Sequence, residues 1–518
     1  MVERFERLCS SCVRWLYSPL YGMPCVCLCL FALFYSRLGA DPDLFARVAA
    51  GRLVEIFGGV VWYDPFAYTP KKQYWIDHEW FSGVVFYYIA TSLSDWGLFA
   101  AKIAFACYTL VLLCRAQLRQ TSHPKFYLPW LLVALTQCSS IWMSTIRAQV
   151  FTYVFFAYQI LACVEYRKRH NAALLLFLPF VQILWCNSHG GFVVGLGCLG
   201  LFSLCMLSEG FKRALIPAAM TVLCAAATFV NPYGIEYWRY IVDAITMPRP
   251  SITEWAPVSL LDPAELLFHI YLVVFFWGAW TKKRDVDPEV WVLGLVTAIY
   301  GYRHVRLVPL FMFVAVVYGT DFFALVMLWL RPRIGRFYRM IVNCAAFLLI
   351  AWSAVFLVWP LKFVTQLRDF SLDYSGYPLY AMEWLYQHGL GGNLLIDFNR
   401  GSFALWRGYP RYLISLDGRY EEVYPEETVA TVVSALNAGS EENAKAFEMI
   451  RPDYIIVDRE SANYRNRGKY PGRWAIIYED KKFAVLSAAP HPPPIEGSTK
   501  NYWQTQRVTA RPMWQPAF

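Results

Sequence analysis

A polytopic α-helical membrane protein with a small α/β domain toward its C-terminal end is what this sequence predicts, on three observations. Hydrophobic residues make up 57% of the 518 and charged residues only 16%, where a soluble domain carries roughly a quarter. Apolar runs of bilayer-spanning length recur from Met23 to about Pro360. From about Tyr374 the pattern changes to short apolar runs alternating with helical stretches. The 21 Trp and 34 Tyr suit side chains placed at headgroup level. The net charge of +9 then belongs mostly to loop Lys and Arg. No basic cluster interleaved with stacking aromatics stands on a polar domain, so nucleic acid is set aside as a partner.

Residues 1–22 carry Arg4, Arg7 and Arg14 and read as an interfacial segment on the cytoplasmic side. The apolar run that follows meets Asp41-Pro42-Asp43 with no small-residue cleavage site, so it reads as an uncleaved first span. About eleven spans are expected, near residues 23–39, 97–117, 125–143, 148–165, 171–187, 191–208, 213–230, 263–281, 288–302, 306–330 and 339–361. They make 23–361 the transmembrane domain. Basic residues fall in every second connection: Arg115/Arg119/Lys125, Arg167/Lys168/Arg169, Lys212/Arg213, Lys282/Lys283/Arg284 and Arg331/Arg333/Arg336/Arg339. That alternation puts the N-terminus inside and everything after about Trp359 outside.

The alternation survives only if 79–95 lies at the interface. A second amphipathic stretch, 44–57, has Phe45, Val48, Ala49, Leu53 and Ile56 at helical spacing, with Arg47, Arg52 and Glu55 elsewhere. The first outer loop, 40–96, is therefore two interfacial helices joined by a turn at Asp64-Pro65. Residues 374–489 form the outer α/β domain, with strands near 393–397, 412–416, 454–457 and 474–478 in a partly parallel sheet. Helices are expected at 378–389, 402–408, 426–437 and 442–450. The Pro-rich tail 490–518, with His491-Pro492-Pro493-Pro494, builds no core and is disordered or draped. Nearly all fourteen cysteines sit in apolar runs as small hydrophobes. Cys9 and Cys12 form a CxxC that no second pair completes into a zinc site.

Charged residues on the outer side carry the candidate chemistry. Asp41 and Asp43 stand where the first span ends, and carboxylates there cost free energy unless they act. They are candidates for a general base toward an acceptor hydroxyl or amine, or for ligands of a divalent cation such as Mg or Mn. Capping a helix over 44–57 would explain Asp43 but not Asp41. Asp77, His78 and Glu79 are supporting first-loop candidates, with a helix start as the plainer reading. Arg147, His189, Arg303, His304 and Arg306 fall at outer span ends, against the positive-inside bias. Phosphate binding by guanidinium supplies a reason. The plainer readings are that Arg303 and Arg306 neutralise lipid headgroups or pair with Asp243 or Glu254, and that His189 hydrogen-bonds across the helix break Asn187-Ser188-His189-Gly190-Gly191.

Taken in order, Asp41-Pro42-Asp43-Leu44, Asp64-Pro65-Phe66, His78-Glu79-Trp80, the His189 break and Asn231-Pro232-Tyr233-Gly234 resemble the GT-C superfamily of integral-membrane glycosyltransferases. Its members include the protein O-mannosyltransferases, the lipid A aminoarabinose transferase and the oligosaccharyltransferase catalytic subunit. The wording looks closest to a bacterial branch, which implies the cytoplasmic (inner) membrane. The resemblance, over most of residues 20–490, implies inverting transfer of a sugar from a polyprenyl phosphate or diphosphate carrier. The acceptor would be an extracytoplasmic glycan, lipid or protein. It also implies a first-loop acid, Asp41 or Asp43, as base and Arg303 or Arg306 at the carrier phosphate, the two sharing one headgroup. The Trp-Trp-Asp-Tyr-Gly motif of the oligosaccharyltransferases is absent. At a comparable place stand Asp397-Phe398-Asn399-Arg400-Gly401 and Asp417-Gly418-Arg419, so Arg400 and Arg419 are the acceptor-contacting candidates and peptide-sequon recognition is not implied.

Other classes predict other features. A transporter or flippase would show mid-span charge and inverted repeats; charge is scarce there and no repeat is seen. A polysaccharide polymerase or ligase would use the same substrate class with less conspicuous acids after the first span. A non-catalytic scaffold would act through its C-terminal domain.

Overall fold

The structure, a computed structural model, describes residues 39–127, 130, 131, 134, 146–247, 249, 252–262, 265–335, 371–488 and 510–515. The expected spans 23–39 and 339–361, nearly all of 125–143, and the N-terminal interfacial segment lie outside the described residues. Fourteen helices of nine residues or more are described. They are α1 (Pro42–Phe57), α2 (Trp80–Gln120), α3 (Gln149–Arg169), α4 (Leu178–Ser188), α5 (Phe192–Cys205), α6 (Phe211–Ala227), α7 (Ile235–Thr246), α8 (Leu266–Thr281), α9 (Pro288–Arg303), α10 (Val308–Ile334), α11 (Leu379–Gln387), α12 (Phe398–Gly408), α13 (Glu426–Leu436) and α14 (Glu441–Ile450).

The chain divides into two compact units. The helical unit takes Phe99–Asn231 and the described part of Ile245–Phe370; the mixed unit takes Leu38–Leu98, Pro232–Ala244 and Ser371–Phe518, within the described residues. In the helical unit, α3 to α6 share a core of Ala162, Cys163, Leu178, Leu199, Phe202, Met220 and Cys224. The described cysteines are free thiols and serve as small apolar fillers. Large apolar side chains also face outward, among them Val222, Val273, Trp277 and Leu295. Water would penalise such faces; lipid does not. Three described stretches, Trp80–Gln120, Phe192–Glu209 and Val305–Arg333, are long and apolar enough to cross a bilayer. The protein is a multi-pass membrane protein.

The 41-residue helix α2 is interrupted at Ser94, whose φ of 55° and ψ of −153° are not helical. An interruption there fits a first-loop helix followed by a separate span. The other first-loop helix, α1, differs from its expected amphipathic form. Leu44 through Ala50 are buried on every face, and only Glu55–Phe57 of its last turn are exposed. Arg47, read as part of the polar face, is 6% exposed. Carboxylates of the mixed unit surround it, so burial leaves its charge compensated.

Five strands form one sheet in the order β2-β1-β3-β5-β4: β1 (Gly392–Leu395), β2 (Tyr412–Ile414), β3 (Tyr454–Asp458), β4 (Ala475–Glu479) and β5 (Phe483–Ser487). β2-β1-β3 is parallel, with Leu394 opposite both Ile414 and Tyr454. β5 pairs antiparallel with β3 and β4. The sheet is thus partly parallel, and α11 to α14 fall on the expected helical stretches. β5 was not among the expected strands. It joins β4 through a turn in which Asp480 accepts the N–H groups of Lys482 and Phe483, both at 2.8 Å. Its five residues are all buried, because it inserts between β3 and β4.

Helix α12 packs on α1 and starts where β1 ends. Its Gly401 meets the turn after β2: a Cβ at Gly401 would lie 1.8 Å from the Leu416 carbonyl oxygen. Gly401→Ala is therefore expected to lower stability by about 1–3 kcal/mol, seen as a lower melting temperature in detergent. Gly197→Ala in α5 is the control, because a Cβ there meets nothing within 4 Å. That change should be neutral or stabilising by up to about 1 kcal/mol.

Candidate active site

Asp41-Pro42-Asp43 builds the N-terminus of α1. Asp41 is extended (φ −86°, ψ 137°) and its Oδ1 accepts the Asp43 N–H at 3.0 Å. The cap is therefore Asp41, not Asp43 as the sequence suggested. Pro42 explains the difference: its fixed φ suits the first helical position, which makes the preceding residue the cap. Asp43 stands in the first turn, where the helix dipole favours negative charge. Both carboxylates are partly exposed.

Three other segments meet them. The Asp417-Gly418 turn comes so close that a Cβ on Gly418 would lie 2.6 Å from Asp43 Oδ1. The Gly418 N–H donates to Ser402 Oγ of α12 at 3.0 Å. Tyr377 donates to the Ala40 carbonyl at 2.9 Å. Burial, then the neighbouring Asp41 and Asp43, hold its phenol well above the usual range, while the charge of Arg400 opposes them. Arg400 bridges Asp397 (2.8 Å) and Asp458 (2.7 Å) and donates to the Gly376 carbonyl (3.2 Å). Asp41, Asp43, Tyr377, Arg400 and Gly418 thus make one partly accessible constellation within the mixed unit.

Asp77, His78 and Glu79 belong to a second, buried cluster around Arg47. Arg47 pairs with Asp77 at 2.6 Å, Glu79 at 2.7 Å and, bidentately, Glu422. Trp75 Nε1 donates to Glu422 at 2.9 Å. His78 Nδ1 lies 3.0 Å from Glu422 and its Nε2 3.5 Å from Glu79. Tyr233 and Tyr240 close the group through the Asp77 backbone N–H and the His78 ring. Glu422, Tyr233 and Tyr240 were not singled out as site residues.

Three carboxylates face one guanidinium and one imidazole, a surplus of one negative charge when the ring is protonated and of two when it is neutral. Burial, together with Glu422, raises Asp77 to about 6 against the pull of Arg47 and His78. Burial would lower His78, but Glu79 and Glu422 raise it above its ordinary value. Burial would raise Glu422, but Arg47 and His78 hold it well below the carboxylate range. Asp77 and His78 both have folded-state values above their unfolded ones. Their stabilisation is complete below the unfolded values and is lost as pH rises, for Asp77 through about 6. The depressed Glu422 adds stability that is lost only on acidification below the ordinary carboxylate range. The melting temperature is therefore expected to fall as pH rises from about 4 to about 6, the interval over which Asp77 loses its proton only in the unfolded chain, and Asp77→Asn should flatten that part of the slope.

Arg419 lies elsewhere in the same unit. It is 1% exposed, held by Asp64 at 2.5 Å and Asp417 at 2.7 and 2.9 Å, and sandwiched by Phe66 and Trp75. That environment ties the first loop to the turn after β2.

The helical unit gathers the basic candidates around Glu254-Trp255. Arg147 pairs with Glu254 at 2.8 Å, and Arg306 approaches its other oxygen at 3.8 Å. Arg249 and Arg306 lie over the Trp255 ring, at 4.3 and 5.8 Å. His304 donates from Nδ1 to the Trp255 carbonyl at 2.9 Å. The backbone bonds Val258 N–H to Tyr302 O (2.9 Å) and Val305 N–H to Ala256 O (3.0 Å) fix this loop to the end of α9. Arg303 is exposed beside it. The pairing of Arg306 with Glu254 is one of the plainer readings; Arg249 and Trp255 were not foreseen. His189 contacts the start of α3 and the break after α4. Its Nδ1 accepts the Gly191 N–H at 2.9 Å and meets Thr152 Oγ1 at 2.8 Å. Trp185 donates to that hydroxyl, which leaves its proton for His189 and puts the ring proton on Nε2. His189 thus bridges the break between α4 and α5.

Among the described residues, no three His, Cys, Asp or Glu side chains converge as a metal site. The pair Asp41 and Asp43 cannot cage an ion alone. A Mg or Mn ion there would need water and substrate phosphate to complete its coordination.

No family model and no curated protein matches this chain. Solved structures do. The archaeal oligosaccharyltransferase AglB from Archaeoglobus fulgidus, in complex with an inhibitory peptide and a dolichol-phosphate, is similar with a TM-score of 0.52 at 13% identity, over 92% of this chain and 75% of that one. ArnT from Cupriavidus metallidurans in the apo state is similar with a TM-score of 0.50 at 12% identity, over 90% of this chain and 97% of that one. A second Archaeoglobus fulgidus oligosaccharyltransferase structure, complexed with Zn and sulfate, gives 0.48 at 13% identity, over 90% and 73%. AglB and ArnT are GT-C membrane glycosyltransferases, and the likeness to them is one of fold.

Proposed function

We propose that this GT-C-like multi-pass protein transfers a sugar from a polyprenyl phosphate or diphosphate carrier to an extracytoplasmic acceptor, with Asp43 as general base. The observation that carries this reading is the arrangement at the start of α1. Asp41 does the capping, while Asp43 projects beside Gly418, near Tyr377 and Arg400. Asp43 takes the proton of the acceptor hydroxyl or amine. The acceptor atom then attacks the anomeric carbon, and the carbon–oxygen bond to the carrier phosphate breaks with inversion. The bonding pair leaves on the phosphate, so the remaining task is to hold that charge.

Arg147, Arg306 and Arg249 are assigned to the phosphate, with Arg303 and His304 beside them. The Glu254 carboxylate between Arg147 and Arg306 marks a position that a phosphate oxygen can take. The alternative to the base role is that Asp41 and Asp43 would hold a Mg or Mn ion, which would supply positive charge to a substrate phosphate. Arg400 is assigned to the acceptor. Residues 374–489 are placed outside a bacterial cytoplasmic membrane, with the N-terminus inside.

The test is transfer in proteoliposomes with a panel of polyprenyl-linked sugars, read as a new glycosidic bond. Arg147→Gln with Arg306→Gln is expected to raise the donor KM about 10-fold or more, equivalent to about 1.4 kcal/mol. Solute uptake without bond formation would sink the proposal.

A further inference from the structure

We infer that the C-terminal segment Ala510–Gln515 is a built-in ligand of the mixed unit, and that Trp514 positions the helix carrying Asp41 and Asp43. The catalytic half of this inference rests on the transfer reading above; the docking half does not.

The segment is held at two anchors. Pro512 to Gln515 forms a turn, closed by Gln515 N–H to Pro512 O at 3.1 Å. Before the turn, Arg511 binds Glu383 through Nε (3.1 Å), Nη2 (3.0 Å) and its backbone N–H (3.2 Å), and lies 3.7 Å over the Tyr386 ring. Within the turn, Trp514 is 4% exposed. It stacks on Phe45 at 5.6 Å and 20°, and its Nε1 donates to Asp95 at 2.6 Å.

The receiving groove is built for this segment. Glu383 and Arg407 are 0% and 1% exposed and pair with each other. Arg407 Nη1 donates to the carbonyls of Pro512 (2.9 Å) and Met513 (3.1 Å), and Trp406 Nε1 to Met513 (2.9 Å). Removing the segment takes these acceptors from buried donors, which is costly for a charged group.

The second anchor reaches the candidate acids. Phe45 lies two residues after Asp43 and is fully buried. Beyond Trp514 it is boxed by Tyr377 at 5.0 Å and Phe403 at 5.1 Å. Tyr377 also holds the Ala40 carbonyl, next to Asp41. Trp514 is thus one wall of the box that sets where α1 begins. A shift of about 1 Å in a reacting group costs roughly 10²-fold in rate.

Three proteins test this: the chain ended at Thr509, and full-length Trp514→Ala and Trp514→Phe. A synthetic peptide of residues 509–518 is added in trans. Hydrogen exchange of the α1 amides reads docking, and kcat against donor KM reads positioning. Truncation and Trp514→Ala should speed α1 exchange about 10-fold or more and lower kcat about 10²-fold, with donor KM changed less than about threefold. Peptide should restore the truncated protein, and Trp514→Phe should keep most of kcat by preserving the stack. Unchanged α1 exchange in both the truncated chain and Trp514→Ala overturns the docking. A change in donor KM instead of kcat overturns the positioning. Exchange that responds to peptide in a protein without transfer activity sinks the glycosyltransferase reading and leaves the docking standing.

Discussion

Asp43→Asn is expected to lower transfer on the order of 10²–10⁴-fold, the usual worth of a positioned general base, with donor KM nearly unchanged. The amide keeps the shape of the carboxylate but cannot take the acceptor proton. Asp41 provides the contrast. Asn caps a helix about as well as Asp, so Asp41→Asn should leave stability almost intact, whereas Asp41→Ala should cost about 1 kcal/mol. Gly418→Ala, whose Cβ would lie 2.6 Å from Asp43 Oδ1, should lower kcat by displacing that carboxylate. Transfer at the wild-type rate by Asp43→Asn would remove the base assignment.

The largest expected loss of stability comes from Arg47. Arg47→Met leaves Asp77, Glu79 and Glu422 buried with only His78 to offset them. Breaking a buried pair from one side costs about 3–5 kcal/mol, which should lower the melting temperature of the solubilised protein by many degrees. Glu422→Gln should be milder, because it also removes one of three crowded carboxylates. A melting temperature for Arg47→Met equal to wild type would show that the cluster does not hold the mixed unit together.

Periodicity made much of this architecture readable in advance. Eight of the expected spans overlap described helices, three described stretches being long and apolar enough to cross a bilayer, and four strands and four helices of the α/β region lie close to where their apolar patterns put them. Such patterns are local, and local packing decides them. The missed strand, Phe483–Ser487, is a short run just after β4, and only its position between two partners makes it central. The misassigned cap was legible, since proline prefers the first helical position. Arg47 shares a buried stripe with Leu44, Val48 and Gly51, four residues that are all inside, and a charge on an apolar stripe signals a partner. That the partner is Glu422 depends on a contact spanning 375 positions, for which periodicity carries no signal. The tail reads as disordered or draped, and where it binds was hidden, because that depends on a groove made by α11 and α12.

The span between Arg47 and Glu422 has a consequence for biogenesis. At roughly 5–20 residues per second, a ribosome needs about 20–75 s after making the arginine before it makes the glutamate. Through that interval three acidic and basic side chains of the early loop, Arg47, Asp77 and Glu79, await their counterpart. The nascent loop must stay hydrated, or shielded by a chaperone, until Glu422 is made and seals it.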